Sequence, residues 1–93
     1  MRIVRILPSF EKCLKRRTSC EKSRIRAGLR GLNRFLVTGQ PSKGFGLRKL
    51  AGTIYELRAD LHLRILISIE GDMVYLLFAG NHDEIRRFLK SVR

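Results

Sequence analysis

The amino-acid sequence predicts a small α+β domain in which helices pack on an antiparallel-rich sheet, with the element order β-α-α-β-β-β-α. The first observation behind this prediction is that residues 18–39 and 81–92 repeat apolar side chains at helical spacing. The second is that residues 53–79 contain three short segments that alternate or run apolar, as strands do. A length of 93 residues with 44% hydrophobic residues fits a single globular domain spanning residues 1–93.

A strand and a short helix are predicted at the start of the chain. Residues Arg2 to Leu7 alternate weakly, and Pro8 ends the strand because it has no N–H to continue a ladder. Ser9 is then expected to cap a short helix with a buried stripe beside a basic face. The stripe consists of Phe10, Cys13 and Leu14, and the basic face of Lys12, Lys15, Arg16 and Arg17.

A second, longer helix follows. Thr18-Ser19-Cys20-Glu21 has the spacing of a capping box, and Gly39 can adopt the positive φ that ends a helix. Its buried stripe is expected to contain Ile25, Leu29, Leu32 and Phe35 or Leu36. Because arginines occupy its other faces, these two helices are predicted to form a basic helical hairpin.

Strands and a last helix are predicted after a loop from Gly39 to Gly46. The three strands are Thr53 to Arg58, His62 to Ile69 and Met73 to Ala79, and the last two are joined by a two-residue hairpin turn, Gly71-Asp72. The C-terminal amphipathic helix begins at Asn81, an N-cap residue with Glu84 three positions later. Its apolar stripe consists of Ile85, Phe88, Leu89 and Val92.

The formal net charge of +12 is distributed unevenly. Residues 1–49 hold 14 Lys and Arg against Glu11 and Glu21, whereas residues 50–93 hold six basic and six acidic residues. Such a field attracts polyanions, so a nucleic acid, an acidic protein and an anionic membrane surface are all candidate partners. No apolar run is long enough for a membrane span, and no signal peptide is expected. Two cysteines without C-x-x-C spacing favour reduced thiols in a cytosol, so we expect a cytoplasmic protein.

Three short segments resemble the core of the RelE/ParE toxin superfamily of type II toxin–antitoxin systems. These are Gly46-Leu47-Arg48-Lys49-Leu50, Ile54-Tyr55-Glu56-Leu57-Arg58 and Leu63-Arg64-Ile65-Leu66, and the segment from Leu76 to Glu84 resembles the exit of the last strand. The resemblance implies a RelE-like fold. It also implies either cleavage of messenger RNA on the ribosome, as in the RelE-like branch, or inhibition of DNA gyrase, as in the ParE branch. In both branches an antitoxin wraps the toxin.

Positions that match the family would supply the groups for metal-independent RNA cleavage. That reaction needs a base, an acid and cations that stabilise the extra negative charge on phosphorus. The candidate catalytic residues are Glu56 or His82 as base or acid, with Arg58 and Arg64 as cations. The candidate phosphate- and RNA-binding residues are Arg48, Lys49, Arg16, Arg17 and Arg30.

Each candidate also has a structural interpretation. Glu56 and Arg58 could lie on a solvated strand face, and Arg64 could form a buried ion pair with Glu56. His82 and Asp83 could simply begin a helix. A zinc site built from Cys13, Cys20, His62 and His82 fits no known ligand spacing, and His62 is given no role. Phe88 stands where several ribonuclease members carry a tyrosine, so it departs from their pattern and could belong to the core.

The sequence therefore predicts a toxin that cleaves messenger RNA as a metal-independent endoribonuclease without a cofactor. Its expected partners are an acidic antitoxin, messenger RNA and the ribosomal RNA, and no membrane. The alternatives are a ParE-like gyrase inhibitor and a catalytically silent basic interaction module.

Overall fold

A computed structural model describes residues 3–40 and 46–91 of the chain. The elements in chain order are β1 (Ile3–Ile6), α1 (Pro8–Lys15), α2 (Ser19–Thr38), β2 (Gly46–Ala51), β3 (Ile54–Asp60), β4 (Leu63–Glu70), β5 (Met73–Gly80) and α3 (His82–Ser91). The predicted α+β class, the two N-terminal helices and the C-terminal helix are confirmed. Within the described ranges, no helix is both long enough and apolar enough to cross a membrane.

The five strands form one sheet in the order β1-β5-β4-β3-β2. β1 runs parallel to β5, and the other three pairs are antiparallel, so the sheet is antiparallel-rich as predicted. β4 is central and is buried over most of its length, which explains why its sequence is nearly all apolar. The turn between β4 and β5 is the predicted two-residue hairpin, with Gly71 at φ 60°.

The predicted element order lacked one strand, β2. This strand pairs with β3, with Leu47 opposite Leu57 and Arg48 opposite Glu56. It lies at the edge of the sheet, and its residues are exposed or half-buried. Only Leu47 of this edge strand packs against the main core, so burial imposes little two-residue alternation on the sequence, and the loop signal before it dominates. Residues 41–45 of the predicted loop lie outside the described part of the chain.

The limits of α2 and α3 follow the capping signals in the sequence. Thr18 and Glu21 form a reciprocal capping box, and Gly39 ends α2 in the left-handed conformation at φ 74°. At the start of α3, the Asn81 side chain accepts the Glu84 N–H at 2.8 Å, and the Glu84 carboxylate accepts the Asn81 N–H at 2.9 Å. Val92, predicted in the stripe of α3, lies outside the described residues.

The predicted cap of α1 was wrong. The helix begins at Pro8, with Leu7 as its N-cap and no side-chain cap. Proline is favoured at the first helical position because an N–H there would have no partner within the helix, so its absence costs nothing. The Ser9 hydroxyl instead donates to the carbonyl oxygen of Leu77 at 2.6 Å, which ties α1 to β5.

The two faces of the sheet are covered differently. α1 and α2 pack on one face and form the main core with the apolar side chains of β3, β4 and β5. Its buried residues include Phe10, Cys13, Ile25, Leu32, Leu57, Ile65, Ile67, Val74, Leu76 and Ala79. α3 packs on the other face, where the Phe88 ring stacks on Phe78 with centroids 4.7 Å apart. The part of this second face beyond α3 carries charged side chains.

Candidate active site

Charged side chains from three neighbouring strands lie together on the second face of the sheet. Glu56 and Arg58 are two residues apart on β3 and therefore point to the same side. The strand register sets Arg58 opposite Arg64 of β4, and Arg48 of β2 opposite Glu56. We call these four residues the arginine cluster.

Glu56 lies at the centre of the arginine cluster and is buried, with 3% of its surface exposed. Its Oε1 atom accepts a hydrogen bond from Nη1 of Arg64 at 2.7 Å, and Nη2 of Arg48 lies 3.6 Å from the same oxygen. A buried carboxylate needs such partners because an unpaired charge away from water is costly. The ion pair between Glu56 and Arg64, the structural interpretation offered by the sequence, is thus present.

Arg64 of this cluster reaches a cavity. Its side chain is 23% exposed and lines a groove of about 480 Å³. Residues of the β3–β4 turn and of the β5–α3 junction form the rest of the lining, and we call this cavity the histidine groove. These residues are Leu61, His62, Asn81, His82 and Asp83. A guanidinium has five N–H donors, so the bond to Glu56 leaves others available to a ligand in the groove.

His82 is exposed in the groove at the first position of α3. The capping box between Asn81 and Glu84 fixes the backbone on either side of it. Glu84 is held in turn by Arg17, whose Nη2 donates to Glu84 Oε2 at 2.8 Å. This hydrogen bond lowers the pKa of the Glu84 carboxyl and raises that of Arg17, so both stay charged near neutral pH. The junction that carries His82 is therefore anchored to the α1–α2 connection.

The structure brings some of the predicted site residues together and leaves others elsewhere. Glu56, Arg58, Arg64 and Arg48 form the arginine cluster, and His82 shares the histidine groove with Arg64. The other predicted RNA-binding residues lie outside this surface, and they are Lys49, Arg16, Arg17 and Arg30.

Each of those four residues has a definite location. Lys49 is paired opposite Tyr55, which packs against the main core, so it lies on the other face of the edge strand. Arg16 is exposed at the end of α1, and Arg30 is exposed on α2. Arg17 is engaged by Glu84 and lies 3.6 Å from Glu21, so its charge contributes to the fold rather than to an open surface.

His62 received no role from the sequence, yet it lines the histidine groove. The signal that could have found it is the strand register, because His62 and His82 flank the paired residues Arg64 and Gly80 symmetrically. Phe88 is half-buried in its stack on Phe78, so it packs against the sheet, which agrees with the core position that the sequence allowed for it.

The two cysteines lie in different environments. Cys13 is buried, its thiol donates to the Phe10 carbonyl, and its sulfur accepts the Ala79 N–H at 3.1 Å. Burial raises the pKa of the Cys13 thiol, whereas Cys20 is exposed. Among residues 3–40 and 46–91, no three His, Cys, Asp or Glu side chains are grouped so that they could hold a metal ion.

Comparison with solved structures shows where this fold occurs. A chain of the RelB–RelE antitoxin–toxin complex from Methanococcus jannaschii superposes with a TM-score of 0.68 and 16% identity, over 89% of this chain and 95% of that one. A chain of the archaeal RelE–RelB complex from Pyrococcus horikoshii gives 0.64 and 20%, over 86% and 93%. A chain of the E. coli DinJ–YafQ complex gives 0.67 and 12%, over 91% and 98%.

No protein-family model matches the sequence, and no curated protein matches it. The likeness to the solved structures extends over nearly the whole of each chain, so it shows that the fold expected from the sequence resemblance is present. At these levels of identity the likeness concerns the fold, and function has to be argued from the site.

Proposed function

We propose that this chain is the toxin of a toxin–antitoxin pair and an endoribonuclease that cleaves messenger RNA on the ribosome. The fold is shared with chains from RelB–RelE and DinJ–YafQ complexes, which supports a toxin with an antitoxin partner. The observation that carries the catalytic part is the buried Glu56–Arg64 ion pair, which directs an arginine into a groove that also contains His82. A fixed cation and an imidazole can supply the charge stabilisation and one of the two proton transfers that RNA cleavage through the 2′-hydroxyl needs.

The reaction proceeds by in-line attack within the RNA chain. The 2′-oxygen loses its proton, attacks the adjacent phosphorus and displaces the 5′-oxygen, which gains a proton. The products are a 2′,3′-cyclic phosphate and a 5′-hydroxyl. His82 is suited to one of these proton transfers because an imidazole can either accept or donate a proton. Arg64 stabilises the charge that develops on the phosphoryl oxygens, which its planar fork can contact in pairs.

Glu56 acts in this proposal as a positioning residue. Its carboxylate is almost wholly buried and is occupied by Arg64 and Arg48, so it holds the Arg64 guanidinium in place and does not contact RNA. The sequence had offered Glu56 or His82 as the proton-transfer group. Burial of Glu56 and exposure of His82 favour His82.

Binding of the RNA rests on the exposed basic surface. Arg58 is exposed beside Arg64, and the Arg48 side chain is 67% exposed, so both can contact phosphates next to the groove. The net charge of +12 provides the long-range attraction to messenger and ribosomal RNA, and equally to an acidic antitoxin. Exposed arginines on the helices, such as Arg16 and Arg30, lie away from the groove and add to this long-range attraction.

The test is expression of the protein in growing cells, followed by primer extension on abundant messenger RNAs. Wild type should arrest growth and produce new 5′ ends within coding regions. Arg64→Ala and His82→Gln should lose these ends, since removal of a charge-stabilising or proton-transfer group reduces the rate by about 10²–10⁴-fold. Asp72→Asn is the matched control because Asp72 is exposed in the β4–β5 turn, at the other end of both strands.

The growth assay also separates the competing functions. Growth arrest with intact messenger RNA and with DNA breaks would replace the ribonuclease by a gyrase inhibitor. Neither cleavage nor DNA damage from wild type would leave a basic binding module. Cleavage by wild type and control but not by Arg64→Ala or His82→Gln supports the proposal.

A further inference from the structure

Two histidines lie just beyond the end of the β4–β5 ladder, and both line the histidine groove. The last pair in this ladder is Arg64 and Gly80. His62 lies two residues before Arg64, and His82 lies two residues after Gly80. His62 belongs to the β3–β4 turn and His82 begins α3, so the turn and the helix start set their positions beyond the end of the ladder. All three of these side chains line the histidine groove.

The turn that carries His62 is held by two hydrogen bonds of the Asp60 side chain. Asp60, at the end of β3, accepts the Leu61 N–H on Oδ1 at 2.6 Å, which closes the turn. Its Oδ2 atom accepts a hydrogen bond from Nη1 of Arg24 at 2.6 Å, which ties the turn to α2. One wall of the groove is thereby fixed to α2 and the other, through Glu84 and Arg17, to the α1–α2 connection.

Both rings are free to meet a ligand. His62 and His82 are exposed, and within the described ranges neither forms an ion pair or a side-chain hydrogen bond. The charged groups that share the groove with them are Arg64 and Asp83. Arg64 is held by Glu56, so a phosphate drawn to its guanidinium would lie in the groove that both imidazoles line.

We propose that His62 is the second proton-transfer residue of the site and forms an acid–base pair with His82 across Arg64. This inference rests on the proposed ribonuclease function and adds a catalytic residue to it. One neutral imidazole accepts the proton of the 2′-hydroxyl as the O2′–P bond forms. The other, protonated, donates its proton to the 5′-oxygen as the P–O5′ bond breaks. The pair ends with its protonation states exchanged, and proton exchange with water restores them.

The experiment is single-turnover cleavage of messenger RNA on programmed ribosomes by purified wild type, His62→Gln, His82→Gln and Asp72→Asn. Glutamine keeps a polar side chain but cannot transfer a proton at neutral pH. His62→Gln should lower the rate by about 10²–10⁴-fold, like His82→Gln, while Asp72→Asn stays at the wild-type rate. Far-UV circular dichroism controls for folding, which exposed positions should not disturb.

The pH–rate profile separates proton transfer from binding. Wild type should give a bell-shaped profile, and each histidine variant should lose a different limb of it. A messenger RNA with a 5′-bridging sulfur at the scissile position has a leaving group that needs no acid. It should restore the rate of one histidine variant, the one that lacks the acid, and not of the other.

Three outcomes would overturn the acid–base pair. The first is a cleavage rate of His62→Gln within about threefold of wild type. The second is a slower rate of His62→Gln whose pH–rate profile keeps both limbs. The third is that the substrate with the 5′-bridging sulfur restores the rate of both histidine variants or of neither. In each case cleavage by wild type would still support the ribonuclease function. If wild type itself does not cleave on ribosomes, the proposed function fails and the acid–base pair fails with it.

Discussion

Replacing Glu56 by glutamine tests whether this residue positions Arg64 or transfers protons. Glutamine has nearly the same size and keeps an oxygen that can accept from Arg64, but it removes the charge. The change leaves Arg64 without its ion-pair partner at 2.7 Å and removes the weaker attraction to Arg48 at 3.6 Å. We expect a loss of stability and a lower cleavage rate, with the shape of the pH–rate profile unchanged.

The loss of stability can be scaled from the structure. Removing one partner of a buried ion pair costs about 3–5 kcal/mol. Because 23% of the Arg64 side chain remains in contact with water, the lower end applies, about 3 kcal/mol. A domain of this length has a free energy of unfolding of roughly 5–14 kcal/mol, so the variant loses a large share of it. At about 4–8 °C per kcal/mol, the midpoint of thermal unfolding should fall by about 12–24 °C.

The assay pairs urea unfolding with single-turnover cleavage below the new unfolding midpoint. A second variant, Glu56→Gln with Arg64→Met, serves as the matched control because it replaces both charges and should regain stability without regaining activity. Two results would refute the positioning role. One is a Glu56→Gln protein within about 0.5 kcal/mol of wild type, the usual range for a surface substitution. The other is loss of one limb of the pH–rate profile, which would make Glu56 the base.

Three further predictions concern the scaffold. Glu84→Gln should cost about 1.5 kcal/mol at neutral pH. Because Arg17 lowers the pKa of Glu84 in the folded state, the stability difference between wild type and Glu84→Gln should vanish as the pH falls through that pKa. A stability difference in urea unfolding that stays constant with pH would contradict this prediction. Gly28→Ala should stabilise by about 0.5–1 kcal/mol, since its methyl would lie 3.4 Å from the nearest atom; a lower melting temperature would indicate a clash. Native alkylation should label Cys20 rapidly and Cys13 only on unfolding, and equal labelling would exclude a buried Cys13.

Local signals were sufficient to predict most of the fold. Thr18, Gly39 and Asn81 mark helix ends because caps depend on a few neighbouring residues, and the structure keeps all three. The edge strand β2 was missed because its alternation is not enforced by burial, and Ser9 was misread because its hydroxyl bonds to a residue that is distant in sequence. Long-range contacts of this kind leave no periodic pattern.

The candidate site shows the same division. That Glu56 and Arg58 share a face, and that Arg64 lies near them, could be predicted from strand geometry alone. The burial of Glu56 could not, because it depends on which arginines of neighbouring strands close over it. The place of His62 depends on the register of β4 against β5, which is fixed by the whole sheet and not by the residues around the histidine.

The chemical groups at the ends of the RNA fragments show whether Arg64 and a histidine cleave RNA through its own 2′-hydroxyl. Purified protein would be incubated with ribosomes carrying a defined messenger RNA, and the fragments analysed by mass spectrometry. We expect an upstream fragment ending in a 2′,3′-cyclic phosphate and a downstream fragment beginning with a 5′-hydroxyl, both lost with Arg64→Ala. Fragments with a 3′-hydroxyl and a 5′-phosphate, or equal cleavage by Arg64→Ala, would contradict it.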